Sequence, residues 1–420
     1  MDTNSQRRGV VETLSADLAP GSSPRSMRAQ NEQLVVRAIR RQRTMTRTDL
    51  TNATGLAKST IKDIVDGLVA SGLIEVQEVG PDGRVGRPAS PVQISRSAGC
   101  VLGADIGADK VLASVARLDG HIIGSARQPT HDLRGKTVIL KVAQNTIEQA
   151  LSDAGVEPSA LLAAVIGTPG VIHPDTGRVS LAPQIEGWNG IDLREELRPL
   201  LQTRVVMRRQ ADLSALAEVA LGVAQNMSNV LYIHIGIGVG AALLINGHLY
   251  EGNDGAAGEI GYLPLAFGED RPRGTTAGTF EWAAGGSAFA RLGARAARRP
   301  SGKRLRELAG GDADRLNAAA VFAAAAEGDP EGVAVAEELS QRLSTGIASA
   351  VCVVNPELTV ISGGISLAGP LLLNMIRDRM SKLVPVMPRL ALSSLGDQSV
   401  VAGAIEHGVD VALDRALAIG

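Results

Sequence analysis

The stretch from Thr46 to Gly72 constrains the fold most, because it holds two short helical patterns on either side of a glycine. Leu50 and Ala53 are expected to face inward on the first helix, and Gly55 can adopt the left-handed conformation that turns one helix across the next. The second helix repeats apolar residues at helical spacing, namely Ile61, Ile64, Val65 and Leu68. This pattern predicts a helix-turn-helix, although a plain helical hairpin in a larger core would show the same spacing.

The start of the second helix carries side chains suited to nucleic acid. A helix-turn-helix protein places this turn in the major groove, where hydroxyl groups and cations meet base edges and phosphates. The candidate DNA contacts are Thr46, Lys58, Ser59, Thr60 and Lys62.

A glycine-rich loop between two predicted strands follows the helix pair. The strands are Leu73–Val76 and Val92–Ile94, and residues 80–88 between them read GPDGRVGRP. Arg84 and Arg87 stand beside glycine and proline, which would let them enter a narrow minor groove. A β-hairpin with a basic tip after a helix-turn-helix predicts a winged helix, and a plain solvated hairpin is the alternative.

Charge is distributed unevenly along the chain. The net charge is only −2, but residues 25–98 contain 12 Lys and Arg against 7 Asp and Glu, which leaves an acidic remainder. A basic segment on an acidic body is typical of a DNA-binding domain joined to a second function. Two cysteines are too few for a disulfide scaffold or a cysteine zinc cluster, and they favour a reducing cytoplasm. The chain lacks an apolar run of about 18 residues or more, so no membrane partner is expected.

Composition divides the chain into three parts. Residues 1–24 are polar and are expected to form a disordered tail, and residues 25–96 form the winged helix-turn-helix domain. In residues 99–420, apolar strands alternate with amphipathic helices, which predicts an α/β fold. Asp192–Leu201 and Glu281–Arg299 are among the stretches predicted to be continuous helices.

Seven motifs follow one another in this body. They are VLGADIGADK, GTPGVIHPDTGRV, APQIEGWNGIDLREEL, RRQADLSALAE, HIGIGVGAALLINGHLYEG, GAAGEIGY and VISGGIS. In this order they resemble the ROK family of repressors, open reading frames and kinases. The resemblance implies an actin-like, ribonuclease H-like fold of two lobes, and a winged helix in front of it is the family's usual repressor arrangement.

The chain departs from the family kinases where they bind nucleotide. Those kinases begin with Asp-Ile-Gly-Gly-Thr, whereas Ala108 and Asp109 occupy the last two positions here. A carboxylate about 4 Å from a phosphate costs roughly 4 kcal/mol at an effective dielectric near 20. The second phosphate loop has Ile237 in place of its threonine. The resemblance therefore implies a poor nucleotide site.

The catalytic base of the kinases is also replaced. Alignment with the family motif puts Gln210 at the aspartate position and Arg209 before it. A carboxamide cannot accept a proton near neutral pH, so no enzyme activity is expected. Asp212 lies two residues further on and is expected to cap the helix that starts there.

The zinc site of the family is replaced as well, so no metal or other cofactor is expected. Tyr262 stands at the histidine position, and three residues that do not normally bind zinc stand at the cysteine positions: Pro272, Gly274 and Thr279. Packing of Phe280 and Trp282 is expected to hold this loop instead.

A ligand pocket could persist around Glu259, which matches the glutamate that family members use on sugar hydroxyls. The candidate ligand-binding residues are Arg209, Gln210, Glu259, Tyr262 and Glu281. Arg209 would suit an acidic ligand such as a sugar phosphate through bidentate bonding. Alternatively, it pairs with Glu259 or Asp212 and the pocket is vestigial.

Together these features predict a cytoplasmic, homodimeric DNA-binding regulator, a repressor of carbohydrate-related genes. Its expected partners are a double-stranded DNA operator of two-fold symmetry and a sugar or sugar-phosphate effector. Two alternatives remain: an ATP-dependent sugar kinase with a DNA-binding head, and a repressor that needs no ligand.

Overall fold

A small N-terminal head precedes two lobes, each built on a five-stranded sheet, in the computed structural model of the chain. The structure describes residues 24–77, 90–236, 238–268, 271–272 and 274–419. Of the tail predicted for residues 1–24, residues 1–23 lie outside the described residues, and so do Arg84, Arg87 and Ile237, whereas Pro24 begins the first helix.

Three helices and an antiparallel strand pair form the head. They are α1 Pro24–Gln42, α2 Arg47–Thr54, α3 Lys58–Ala70, β1 Ile74–Val76 and β2 Val92–Ile94. This is the predicted order of elements, while the basic hairpin tip stays a prediction. Gly55 ends α2 with a φ of 70° and donates its N–H to the Thr51 carbonyl, as a left-handed helix cap requires. The prediction for Ala53 is wrong: it is exposed, because this eight-residue helix buries only Leu50.

Strands and helices alternate through the body, as predicted for an α/β fold. The strands are β3 Cys100–Ile106, β4 Lys110–Arg117, β5 Ile122–Pro129, β6 Leu161–Thr168, β7 Val171–Ile172, β8 Val179–Ser180, β9 Val205–Arg209, β10 Val230–Ile235, β11 Val239–Ile245, β12 His248–Leu249, β13 Leu358–Ser362 and β14 Arg389–Leu392. The helices are α4 Lys136–Ala154, α5 Leu193–Leu197, α6 Gln210–Ala220, α7 Thr279–Ala284, α8 Gly286–Ala297, α9 Lys303–Leu308, α10 Ala318–Ala326, α11 Pro330–Val354, α12 Gly369–Met380 and α13 Ser399–Ile419. Among the helices of the described residues, none is long and apolar enough to cross a membrane.

The two sheets share one plan. Their strand orders are β5-β4-β3-β6-β9 and β12-β11-β10-β13-β14. The strand at the centre of each sheet, β3 or β10, pairs antiparallel with the next strand and parallel with a later one. Gly107 in one lobe and Gly236 in the other follow the carboxyl ends of these central strands, the edge where open α/β sheets bind ligands.

Helix α13 lies between the first sheet, α6 and the head. A Cβ atom on Gly403 would lie 1.8 Å from the Leu213 carbonyl oxygen, so the backbones of α13 and α6 are in direct contact. On its head side, α13 contributes to one apolar cluster with α1, whose members include Val35, Val36, Ile39, Ile405, Val409 and Leu413. Head and body therefore share a continuous core.

Several parts of the body differ from the sequence prediction. The helix predicted for Glu281–Arg299 is interrupted after Ala284, because Gly285 is extended with a ψ of 179°. The helix predicted for Asp192–Leu201 contains only the five residues of α5, since Asp192 is the extended residue that caps it. Strand β14 was not predicted, because it is short and lies half-buried at the edge of its sheet.

Candidate functional site

Thr46 fixes the start of α2. Its hydroxyl accepts a hydrogen bond from the Asp49 N–H at 3.1 Å, and the Asp49 carboxylate accepts one from the Thr46 N–H at 3.0 Å. This reciprocal capping box satisfies two backbone donors at the helix start. DNA contact by Thr46 stays a prediction, but its side chain already has a structural role.

Three cations surround one open depression on the outer face of α2 and α3. Arg47, Lys58 and Lys62 line it together with Thr48 and Thr51, and its volume is about 470 Å³. Ser59 is exposed on the same helix turn and Thr60 is half-buried. The fold thus brings the predicted lysines beside Arg47, which sequence reasoning missed although it begins α2.

Asp66 orients two of these cations. Its carboxylate lies 2.9 Å from the Arg47 guanidinium and 3.2 Å from the Lys62 ammonium. Hydrogen bonds from Lys62 and Arg47 lower the pKa of Asp66. Exposed ion pairs contribute little stability, so both cations can exchange this carboxylate for a phosphate.

Arg209 is paired at the floor of the interlobe cleft. Its guanidinium donates two hydrogen bonds to Asp212, at 2.6 and 2.8 Å, and one to Glu259 at 3.4 Å. The predicted cap by Asp212 is wrong, because its carboxylate is bound to this guanidinium and α6 has no side-chain cap. Burial opposes charge on Arg209, but the two carboxylates outweigh it and hold the pKa above its ordinary value. The guanidinium of Arg209 is thus shared between two carboxylates.

Gln210 faces the first sheet. Its amide donates a 2.6 Å hydrogen bond to the Asp105 carboxylate at the end of β3. Complete burial raises the pKa of Asp105 to about 6, and the Gln210 hydrogen bond limits the rise. An amide in this position can hold the carboxylate but cannot take a proton from a ligand hydroxyl.

Lys110, the first residue of β4, is paired with a carboxylate of the chain itself. Lys110 donates to the Asp397 carbonyl at 2.6 Å and lies 3.4 Å from the Asp397 carboxylate, which Arg127 also contacts at 2.7 Å. Asp109 is exposed and Ala108 half-buried. The cations Lys110 and Arg127 on this side of the cleft are thus already paired with Asp397.

Two further candidates approach Glu259 from the second lobe. Glu281 accepts a hydrogen bond from the Val239 N–H at 3.0 Å, and burial raises the pKa of both glutamates. The Tyr262 hydroxyl donates to the Thr276 carbonyl at 3.2 Å, and the side chain is 43% exposed. The cleft thus brings Arg209, Glu259, Tyr262 and Glu281 together, while Gln210 contacts Asp105.

Two polar side chains in the cleft were missed by sequence reasoning. A Cβ atom on Gly238 would lie 2.9 Å from the Glu281 carboxylate and 3.6 Å from the Gln184 amide, so Gln184 borders the site. His234 lies 3.2 Å from the Ser362 hydroxyl, next to the glycine turn after β10. In the sequence, the only indication that His234 borders the cleft is its position two residues before Gly236.

Phe280 and Trp282, which the sequence predicted to hold the loop at the replaced zinc positions, pack against helices α11 and α8. Phe280 is fully buried against Gly346, and the Arg291 guanidinium stacks 4.4 Å from the Trp282 ring. Within the part of the chain that the structure describes, no group of three or more His, Cys, Asp or Glu side chains could hold a metal ion.

Comparison with known proteins places this cleft in context. The ROK family model matches residues 101–407. A xylose repressor from Caldicellulosiruptor bescii is 26% identical over 379 residues, which cover 89% of this chain and 94% of that protein. A glucokinase from Halalkalibacterium halodurans is 29% identical over 313 residues, which cover 72% of this chain and 92% of that protein. The crystal structure of a ROK family transcriptional regulator, a homolog of the E. coli MLC protein, superposes with a TM-score of 0.76 over 94% of this chain and 99% of that chain, at 23% identity.

Proposed function

Because the chain belongs to the ROK family, with the actin-like two-lobed sugar-kinase fold, we propose that it is a cytoplasmic DNA-binding regulator that represses carbohydrate-related genes. The observation that carries the proposal is the extent of its likeness to a repressor. The xylose repressor aligns with 89% of the chain and the glucokinase with 72%. The body alone could not supply 89% of the chain, so the repressor alignment includes part of the head.

The basic depression on the head supports DNA as the partner. Arg47, Lys58 and Lys62 surround it, and the exposed Ser59 lies on the same helix turn. Cations of this kind bind phosphates, while hydroxyls at a recognition-helix start contact base edges. A homodimer would carry two such heads and bind two half-sites one or two helical turns apart.

The paired state of Arg209 supports an uncharged sugar as effector. Asp212 and Glu259 already occupy its guanidinium, so it offers little to a phosphate or a sugar acid. Glu259 and Glu281 present carboxylate oxygens, which accept hydrogen bonds from sugar hydroxyls. In their ionised form both glutamates would repel an anionic ligand, so a neutral sugar fits this cleft better than a sugar phosphate.

Sugar kinase activity is the competing function, and the glucokinase relatives favour it. Gln210 opposes it, because its amide occupies the place of the base and is bound to Asp105. Incubating the purified chain with ATP, Mg²⁺ and D-glucose or D-xylose tests this alternative. Formation of sugar phosphate in proportion to the protein concentration would overturn the assignment as a regulator without catalysis.

Footprinting on the DNA upstream of the chain's own gene tests the main proposal. We expect a protected segment of two-fold symmetry, and weaker protection when D-xylose or D-glucose is added. Absence of any protected segment at low salt would overturn the proposal. Calorimetry with the same sugars and with glucose 6-phosphate tests the effector: binding of the phosphate alone contradicts a neutral ligand, and no heat from any sugar favours a ligand-independent repressor.

A further inference from the structure

Helices α1 and α13 face each other with opposite charges. Arginines spaced three residues apart on α1 and the loop after it meet carboxylates spaced four apart on α13. The ion pairs are Arg37–Asp414, Arg40–Asp410, Arg40–Glu406 and Arg43–Glu406. We call these pairs the α1–α13 seam. At its centre, Arg40 and Glu406 are 2.9 Å apart and only 12% and 14% exposed, so this pair is protected from solvent screening.

Towards its N-terminus, the same face of α13 is in contact with the helix that starts in the cleft. Gly403 lies against the Leu213 carbonyl with no side chain between the two backbones. Ser399, at the start of α13, shares a 2.9 Å hydrogen bond with Ser214. Leu213 directly follows Asp212, which holds Arg209 and, through it, Glu259. A shift of α6 must therefore displace α13, because backbones in contact cannot absorb it by side-chain rotation.

Gly403 and Glu406 are less than one helical turn apart. The contact with the cleft helix and the centre of the seam thus lie on the same turn of α13. The head is attached to this turn by the seam and by the apolar cluster that contains Ile39 and Ile405. A displacement of α13 would change the position of the head relative to the lobes.

We propose that α13 couples the interlobe cleft to the head, with the Gly403–Leu213 contact as its input and the α1–α13 seam as its output. The coupling deepens the proposed function, since it gives sugar binding a mechanical route to the DNA-binding helices. A ligand can use this route only if it binds two arrangements of α6 with different affinity.

Amide hydrogen exchange of α1 in the full chain tests the coupling with neither DNA nor sugar, so it stays readable if the proposed function fails. Glu406→Gln should accelerate α1 exchange roughly tenfold, because it removes the buried centre of the seam. Gly403→Ala, which places a methyl group against the α6 backbone at Leu213, should also accelerate α1 exchange. The matched controls are Glu148→Gln on the exposed face of α4, and Gly408→Ala, whose added Cβ would lie 3.4 Å from Val101 in ordinary contact.

The double variant decides whether both changes act through one element. If α13 transmits the displacement, adding Gly403→Ala to Glu406→Gln should produce less than the sum of the two single effects. Additive effects, or α1 exchange that Gly403→Ala leaves unchanged, would overturn the coupling. Should Gly403→Ala fail to fold, Ser214→Ala replaces it, because this variant loosens the same helix pair by removing one hydrogen bond. Unchanged α1 exchange in a folded Ser214→Ala chain would then overturn the coupling.

Discussion

Gln210 and Asp105 lie 105 positions apart in sequence, yet their side chains meet at 2.6 Å. The neutral amide lets a fully buried carboxyl group keep a hydrogen-bond partner without a second charge beside it. An aspartate in place of Gln210 would put two carboxylates together, and one of them would then have to stay protonated. The Gln210 amide thus holds the Asp105 carboxyl group in place.

The raised pKa of Asp105 predicts a pH dependence of stability. Its pKa is about 6 in the folded chain against an ordinary value of 3.8, so the folded state binds more protons between these values. Stability should therefore fall as pH rises through this window, by roughly 3 kcal/mol. Asp105→Asn removes this term, so the free energy of unfolding of the variant minus that of the native chain should increase from pH 4 to pH 7.

Urea unfolding across that pH range measures the difference. Burial lowers the pKa of His407 to about 4, so this residue reduces the free energy of unfolding at acidic pH. Its contribution is the same in both proteins and cancels from the difference. Asp175→Asn, at an exposed turn position, is the control and should show no such increase. A flat difference for Asp105→Asn would mean that Asp105 is ionised in the folded chain throughout the range.

Removing the Thr46 side chain is expected to destabilise α2 locally. Thr46→Ala removes the capping box of α2 and should cost about 1 kcal/mol, which makes α2 amides exchange roughly fivefold faster. Thr48→Ala, on an exposed position of the first turn, is the matched control. Equal exchange in the two variants would contradict the capping role.

At the scale of elements, the sequence predicted the turns that depend only on neighbouring residues. The Gly55 turn and the two glycine turns at the sheet edges follow from residues that are adjacent in sequence. The sequence named Glu259 and Asp212 as possible partners of Arg209 but could not decide between this pairing and ligand binding, because Glu259 lies on the other lobe and becomes a neighbour only after folding. Asp212 differs from its prediction for a local reason: its sequence position suited a helix cap, but Arg209, three residues before it, binds its carboxylate.

The helix pair of the head predicts a salt-dependent affinity. Lys62→Ala and Lys58→Ala should each weaken binding to upstream DNA and to unrelated DNA alike, and reduce the salt slope by about 1, if each lysine neutralises one phosphate. Fluorescence anisotropy at several salt concentrations gives both numbers. Lys141→Ala, on the exposed face of α4, should leave both unchanged. A lysine whose removal changes only sequence preference contacts a base instead.

For the molecule as a whole, the two lobes repeat one sheet plan and the head is fastened to the first of them. Composition predicted a head and a body, but it could not show that they share one apolar cluster. That cluster joins α1 to α13, which are more than 350 residues apart along the chain.

The proposed homodimer predicts the mass of the protein in solution. Sedimentation equilibrium should give twice the 43.5 kDa of one chain at micromolar concentration, because symmetric dimers are the commonest soluble assemblies. A monomer that persists at concentrations above those used for footprinting would contradict two-headed binding.

The shared core also bears on how this protein can be taken apart. Cutting the chain near residue 98 would leave Ile405, Val409 and Leu413 facing water on one fragment, and Val35, Val36 and Ile39 on the other. Each fragment would then be prone to self-association through this exposed apolar surface. Separating the head from the body would therefore destabilise both, and each is best studied in the intact chain.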